Sequence, residues 1–140
     1  MQPKASAIWS GNLKEGKGTI STESGTLKQT QYSFGARFEN GKGTNPEELL
    51  AAAHAGCFTM ALSAELGKLG ITPQKLETTA TITFEKVGEG FSITKSHLDL
   101  TASIPGVDKA KFDAAVKAAK TGCPVSKLYK AEITVTSHLA

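Results

Sequence analysis

The sequence is poor in the features that would commit it to a metal, a nucleic acid or a membrane. Its 140 residues include two cysteines and three histidines, with no C-x-x-C and no H-x-x-x-H pair. Metal sites in small domains are usually built from such pairs, so their absence argues against a metal centre. His54, Cys57, Cys123 and either His97 or His138 are the one set that could be gathered, and His54 reads more simply as a buried polar contact. The 16 basic and 13 acidic residues leave a net charge of +3 and are interspersed. That describes a solvated surface rather than the clustered basic face of a nucleic-acid binder. Met1–Gly11 lacks a charged-then-apolar leader, and the longest mostly apolar stretch, Leu49–Leu62, contains His54 and Thr59 and is too short to span a bilayer. A cytoplasmic protein with no membrane partner is expected. Two short motifs fail on context. Gly11–Gly18 spells G-x-x-x-x-G-K-G, but Gly18 and a strand follow where a nucleotide-binding loop needs Ser or Thr and a helix. Gly67-Lys68-Leu69-Gly70 leads into Ile71-Thr72-Pro73 and reads as a helix end, where a G-x-x-G RNA clamp would join two helices.

What is present describes one α+β domain spanning residues 1–140. Ala5–Ser10 and Thr19–Thr22 are short strand candidates joined by turn residues. Tyr32, Phe34, Ala36 and Phe38 alternate with smaller or polar residues, the strand period. Asn45 is a good N-cap, Pro46 suits the first helical position, and Glu47 and Glu48 favour the positive end of the helix dipole. The helix that follows ends near Gly67–Gly70 and is apolar on nearly every face from Leu49 to Leu62, the signature of a helix buried all round. One small domain can hardly enclose a rod ~35 Å long, so a homodimer with this helix near its centre is expected. Leu76–Glu85, the turn Gly88-Glu89-Gly90 and Phe91–Ile104 read as a long hairpin. Its apolar phase slips from odd to even positions near Lys95, which predicts a β-bulge. Asp108 caps a second helix carrying Phe112, Ala115, Val116 and Ala119. Cys123-Pro124 restarts a short one, and Ala131–Thr136 is a last strand.

The two cysteines carry the chemistry. In a reducing compartment a permanent disulfide is not expected, so they are inert packing residues or a working redox pair. Cys57 sits mid-helix in apolar surroundings, where desolvation disfavours the thiolate. A cation could reverse this. Arg37 can supply it, or can be an ordinary solvent-facing strand residue. Cys123, as N-cap of the Pro124 helix, lies where a thiolate is favoured. On these grounds either cysteine can be the attacking one.

At these residues the chain resembles a known family. Gly43–Leu62, with Asn45-Pro46-Glu47-Glu48 and His54-Ala55-Gly56-Cys57-Phe58, resembles the OsmC/Ohr family, its OsmC branch more than its Ohr branch. Gly122-Cys123-Pro124-Val125-Ser126 carries the same resemblance, which extends over essentially the whole chain. It implies an intertwined homodimer, antiparallel sheets wrapped around long buried central helices, with active sites at the subunit interface. It implies an enzyme that reduces organic hydroperoxides without a bound cofactor or metal. Cys57 attacks the peroxide and becomes a sulfenic acid, Cys123 resolves it as a disulfide, and a dithiol reductant, a lipoylated protein in the Ohr branch, restores the thiols. Arg37 and Glu47 match the assisting arginine and glutamate. Phe58 and Met60 are expected to wall the site against polar peroxide. Glu47 and Cys57 are ten residues apart, ~15 Å along a straight helix. So either the helix breaks near Ala52–Ala55, or Arg37 and Glu47 serve a site through the other subunit. The rival expectation is a non-catalytic, stress-induced dimeric binding protein of the same fold.

Overall fold

In the computed structural model, which describes Met1 to Ala140, Asn45 starts the longest helix as its residue type predicts. Its Oδ1 accepts the Glu48 amide at 2.8 Å, and its carbonyl accepts the Leu49 amide. The 23-residue helix Pro46–Lys68 runs unbroken to Gly70, whose φ of 73° ends it with a glycine in the left-handed region. The chain divides into two compact units, Met1–Leu49 and Leu50–Ala140.

The first unit holds an antiparallel sheet of β1 (Ala5–Ser10), β2 (Lys17–Thr22) and β3 (Thr30–Tyr32). Gly11–Gly16 closes the β1–β2 hairpin, in which Ser10 faces Lys17. Trp9 and Tyr32 meet across β2 with ring centroids 5.5 Å apart. Gly18 lies beneath them, and a Cβ there would come within 2.4 Å of Tyr32. The expected strand through Phe38 stops at Tyr32. Phe34–Phe38 is instead a single helical turn, α1. Ser33 caps it by accepting the Ala36 amide at 3.1 Å. Phe34 and Phe38 then fall one turn apart, with ring centroids at 4.8 Å. Asn45 holds the turn to the start of the long helix, α2 (Pro46–Lys68), by donating from Nδ2 to the Ala36 carbonyl.

The second unit pairs β4 (Lys75–Val87) antiparallel to β5 (Gly90–Ser103). The bulge is where the phase slip places it. Thr83 faces Lys95 and Phe84 faces Ile93, so Thr94 has no partner across the ladder. Beyond it, Ser96, Leu98, Leu100 and Ala102 are all fully buried. From Ile104 the chain passes through α3 (Lys109–Gly122), capped by Asp108, and α4 (Pro124–Leu128), and returns as β6 (Glu132–Leu139). That crossover brings the chain back in the direction it left, so β6 lies parallel to β5. The second sheet is therefore mixed, not antiparallel throughout. Phe112, Ala115, Val116 and Ala119 of α3 share the core with Leu98, Leu100 and Ala102 of β5 and with Phe58, Leu62 and Leu66 of α2.

α2 is not buried all round within one chain. His54, Phe58, Leu62 and Leu66 form the buried stripe, four residues apart. Ala52, Ala53, Gly56, Met60, Ser63 and Ala64 lie exposed, Met60 at 77%. By length and composition α2 could cross a membrane. Its buried stripe, however, packs on β5 and α3 as the helix of a water-soluble core does.

Candidate active site

α2 carries Cys57 on its fourth turn, partly buried, one position before the fully buried Phe58. Cys123 stands where α3 ends and α4 begins. Its amide donates to the Ala119 carbonyl at the end of α3, and its carbonyl accepts the Lys127 amide inside α4. Pro124, with no amide hydrogen to lose, follows at the first position of α4. The backbone of Cys123 is therefore fixed from both sides, and its side chain is wholly buried. The two sulfurs are 2.7 Å apart, both as free thiols. A disulfide needs them ~2.05 Å apart, a change that side-chain rotation alone can supply.

Burial, first, and then the contact with Cys123 push the Cys57 thiol above its ordinary value. The backbone amide of Val125 near the sulfur works in the opposite direction. The Cys123 side chain makes no capping bond to α4. The Val125 amide of that helix favours charge on Cys57. It does not outweigh burial. A thiolate, the nucleophilic form, needs a cation in addition.

The cation and its partner form the second cluster. Arg37, in the last turn of α1, donates to Glu47 from Nε at 3.1 and 3.3 Å and from a terminal nitrogen at 2.8 Å. Glu47 is 8% exposed and sits in the first turn of α2. The fork fixes the plane of the guanidinium, and its carbon stands 5.4 Å from the centroid of the Phe38 ring. Folding Phe34–Phe38 into a turn rather than a strand is what aims Arg37 at Glu47. A cavity of about 230 Å³ opens beside it, lined by Trp9, Leu13, Tyr32, Phe34, Arg37 and Phe38. Phe58 belongs to the core and Met60 to the outer face of α2. Neither lines this cavity.

His54, Ser126, Tyr129 and the Val125 amide surround the cysteines, and of these sequence reasoning singled out His54, as a buried polar contact. His54 is completely buried, with Nδ1 2.6 Å from Ser96 Oγ and Nε2 2.8 Å from Ser126 Oγ. Burial holds its imidazole below the ordinary histidine value, toward the neutral form. Both ring nitrogens are thus taken, and no three His, Cys, Asp or Glu side chains converge elsewhere as a metal site would require. Tyr129 stacks edge-on against His54 with centroids 5.1 Å apart and donates from its hydroxyl to the Leu50 carbonyl at 2.8 Å. Burial, and then the charge either cysteine would carry, push its phenol upward. The Val125 amide completes the set. The signal for Ser126 was its spacing: it follows Cys123 by three residues as His54 precedes Cys57 by three.

The chain is similar to known proteins over most of its length. The family described as OsmC-like protein matches residues 39–138. Peroxiredoxin OsmC of Escherichia coli strain K12 is 54% identical over 136 residues, 97% of this chain and 95% of that protein. The organic hydroperoxide resistance protein of Xanthomonas axonopodis pv. citri is 35% identical over 102 residues, 71% of this chain and 69% of its own length. The crystal structure of the organic hydroperoxide resistance protein OhrB of Bacillus subtilis superimposes with a TM-score of 0.69 at 26% identity, covering 98% of each chain. An OsmC-like protein of Vibrio cholerae, 16% identical, shares the fold with a TM-score of 0.79 and 98% and 99% coverage.

Proposed function

The chain belongs to the family of OsmC-like proteins, and from that premise we propose that it is a thiol-dependent peroxidase that reduces organic hydroperoxides to alcohols. Cys57 attacks the outer peroxide oxygen as a thiolate. The O–O bond breaks, the alkoxide takes a proton and leaves as the alcohol, and Cys57 becomes a sulfenic acid. The Cys123 thiol then condenses with it, forming the disulfide and releasing water. A dithiol, such as a lipoyl group borne by another protein, reduces the disulfide by exchange. All electrons come from thiols, so the cycle calls for no bound cofactor or metal. The observation that carries this reading is the 2.7 Å between the two sulfurs.

Arg37, oriented by Glu47, is the cation that stabilises the Cys57 thiolate and the charge developing on the leaving oxygen. Because α2 runs unbroken between Glu47 and Cys57, we assign this role across a homodimer. A second copy packs on the exposed small-residue face of α2 and brings its own Arg37 and Glu47 to Cys57. The 140 residues act as one domain of that intertwined dimer, in the cytoplasm, where thiols are kept reduced. The apolar cavity beside Arg37 takes the organic tail, which favours alkyl and aryl hydroperoxides over hydrogen peroxide.

The test is thiol titration before and after one equivalent of cumene hydroperoxide. Two thiols disappear together if the reading is right. Loss of none favours a non-catalytic dimeric binding protein, the second reading, for which the upward push on the Cys57 thiol speaks. Hydrogen peroxide proving clearly the better substrate would overturn the assignment of the cavity.

A further inference from the structure

α2 and the segment from Cys123 to Tyr129 are joined by three side-chain ties that step along both elements in opposite directions. The Tyr129 hydroxyl donates to the Leu50 carbonyl at 2.8 Å. Ser126 Oγ lies 2.8 Å from His54 Nε2. Cys123 Sγ lies 2.7 Å from Cys57 Sγ. The positions read 50, 54, 57 on α2 and 129, 126, 123 on the other segment, about one helical turn per step. The two cysteines are therefore the end rung of an antiparallel ladder, and His54–Ser126 is the rung beside it.

That middle rung is expensive by composition. A buried imidazole costs stability unless each polar atom is satisfied, and an apolar side chain would hold α4 to α2 as firmly. Here every polar atom is satisfied: Ser96 of β5 takes Nδ1, Ser126 of α4 takes Nε2, and no buried side-chain polar atom in the protein lacks a partner. What a fully bonded polar network supplies beyond apolar contact is direction, because it is satisfied in one arrangement only. The direction it sets is that of α4, whose first residue follows Cys123, the residue whose sulfur lies 2.7 Å from that of Cys57.

We propose that His54, acting through Ser126, is a positioning residue for the resolving step. It keeps the turn that bears Cys123 level with Cys57 while Cys57 is a sulfenic acid. The Cys57 sulfenic acid and the Cys123 thiol then join as a disulfide and release water before a second peroxide arrives. The inference rests on the two-cysteine reading above. The first step, attack of Cys57 on peroxide, does not pass through this rung.

The test separates the two steps in single turnover on the reduced protein, with one equivalent of cumene hydroperoxide. Peroxide consumption reports the first step, and sulfenic acid trapped by dimedone against disulfide formed reports the second. Ser126→Ala and His54→Asn, which keeps a group able to reach Ser96 but not Ser126, consume peroxide within about twofold of wild type. Both form the disulfide on the order of tenfold more slowly and accumulate trapped sulfenic acid and, with excess peroxide, sulfinic acid. His54→Gln, which places an amide near the position of Nε2, restores the disulfide rate. Thr59→Val serves as the control. It breaks a tie of similar length between α2 and β4, Thr59 Oγ1 to Thr78 Oγ1 at 2.8 Å, and leaves the disulfide rate unchanged. Wild-type disulfide formation at unchanged speed in Ser126→Ala, or equal slowing in Thr59→Val, overturns the positioning role. Failure of the wild-type protein to form any Cys57–Cys123 disulfide overturns the two-cysteine reading instead. Either folded variant of the Ser126→Ala and His54→Asn pair is sufficient for the decision.

Discussion

The cysteine pair and the Arg37 guanidinium lie in different environments. Cys123 is wholly buried with its backbone bonded on both sides, and Cys57 is partly buried. The Arg37 side chain keeps 39% of its surface in contact with solvent, on a helical turn of five residues. The buried pair can make a disulfide with little rearrangement, yet the same burial opposes the thiolate that must form first. Arg37, forked onto the buried Glu47, holds a positive charge near the surface and has no thiol to act on within its own unit. A guanidinium kept permanently in the apolar core would be costly to desolvate, which suits a charge held at the surface.

The strongest way to break the comparison is to remove one member of each pair. Cys57→Ser should abolish even a single turnover, whereas Cys123→Ser should still consume one peroxide and then stop as a sulfenic acid. Exchanged phenotypes would reverse the roles. Arg37→Met should lower kcat/KM by about 10²–10³-fold. Its sign on pH follows from charge: burial already raises the Cys57 thiol, and losing a cation raises it further. The rise of activity with pH should therefore move to higher pH, which a rate profile between pH 5 and 9 checks. An unmoved profile would mean that another group supplies the charge.

A charge on the exposed face of α2 sharpens the comparison further. Gly56 has open space where a side chain would stand, so Gly56→Glu should leave the monomer folded and drive the dimer apart. Peroxidase activity should fall in step with the dimer fraction measured by sedimentation. Diamide, which oxidises thiols without peroxide, should still close the Cys57–Cys123 bond in the monomer. Full activity in a monomer would place Arg37 and Cys57 of one chain at the same site.

The smallest effect concerns stability. His54 is held neutral below its ordinary value of 6.5. The unfolded chain then binds more protons than the native one as pH falls below that value, so folding stability declines there. Urea unfolding at pH 7.5 and 5.5 should show a loss of about 1 kcal/mol in wild type, reduced in His54→Gln. An equal loss in both would assign the pH dependence to other groups.

Much of this was legible in the residues because it is local. Asn45-Pro46-Glu47-Glu48 announces the start of α2, and the slip in apolar phase between Ile93 and Leu98 announces the bulge, since strand side chains alternate strictly. The same alternation misleads at Tyr32–Phe38. Residues 34 and 38 are as compatible with one helical turn as with a strand, and the Ser33 cap with the Asn45–Ala36 bond decides between them. The direction of β6 was not legible either, because an alternating strand reads the same whether its neighbour is parallel or antiparallel.

Amino-acid order alone determined which residues can do chemistry here: two thiols, an arginine, a glutamate and, apart from the turn that bears Arg37, the helices and strands that carry them, set by patterns spanning a few residues. Tertiary structure decided which of them meet. It placed Cys57 against Cys123 across 66 residues of chain and gave both nitrogens of His54 to serines 42 and 72 residues away. It also left one face of α2 open. Contacts at such separations depend on how finished elements pack around a shared core, and periodicity within any single element carries no record of its neighbour.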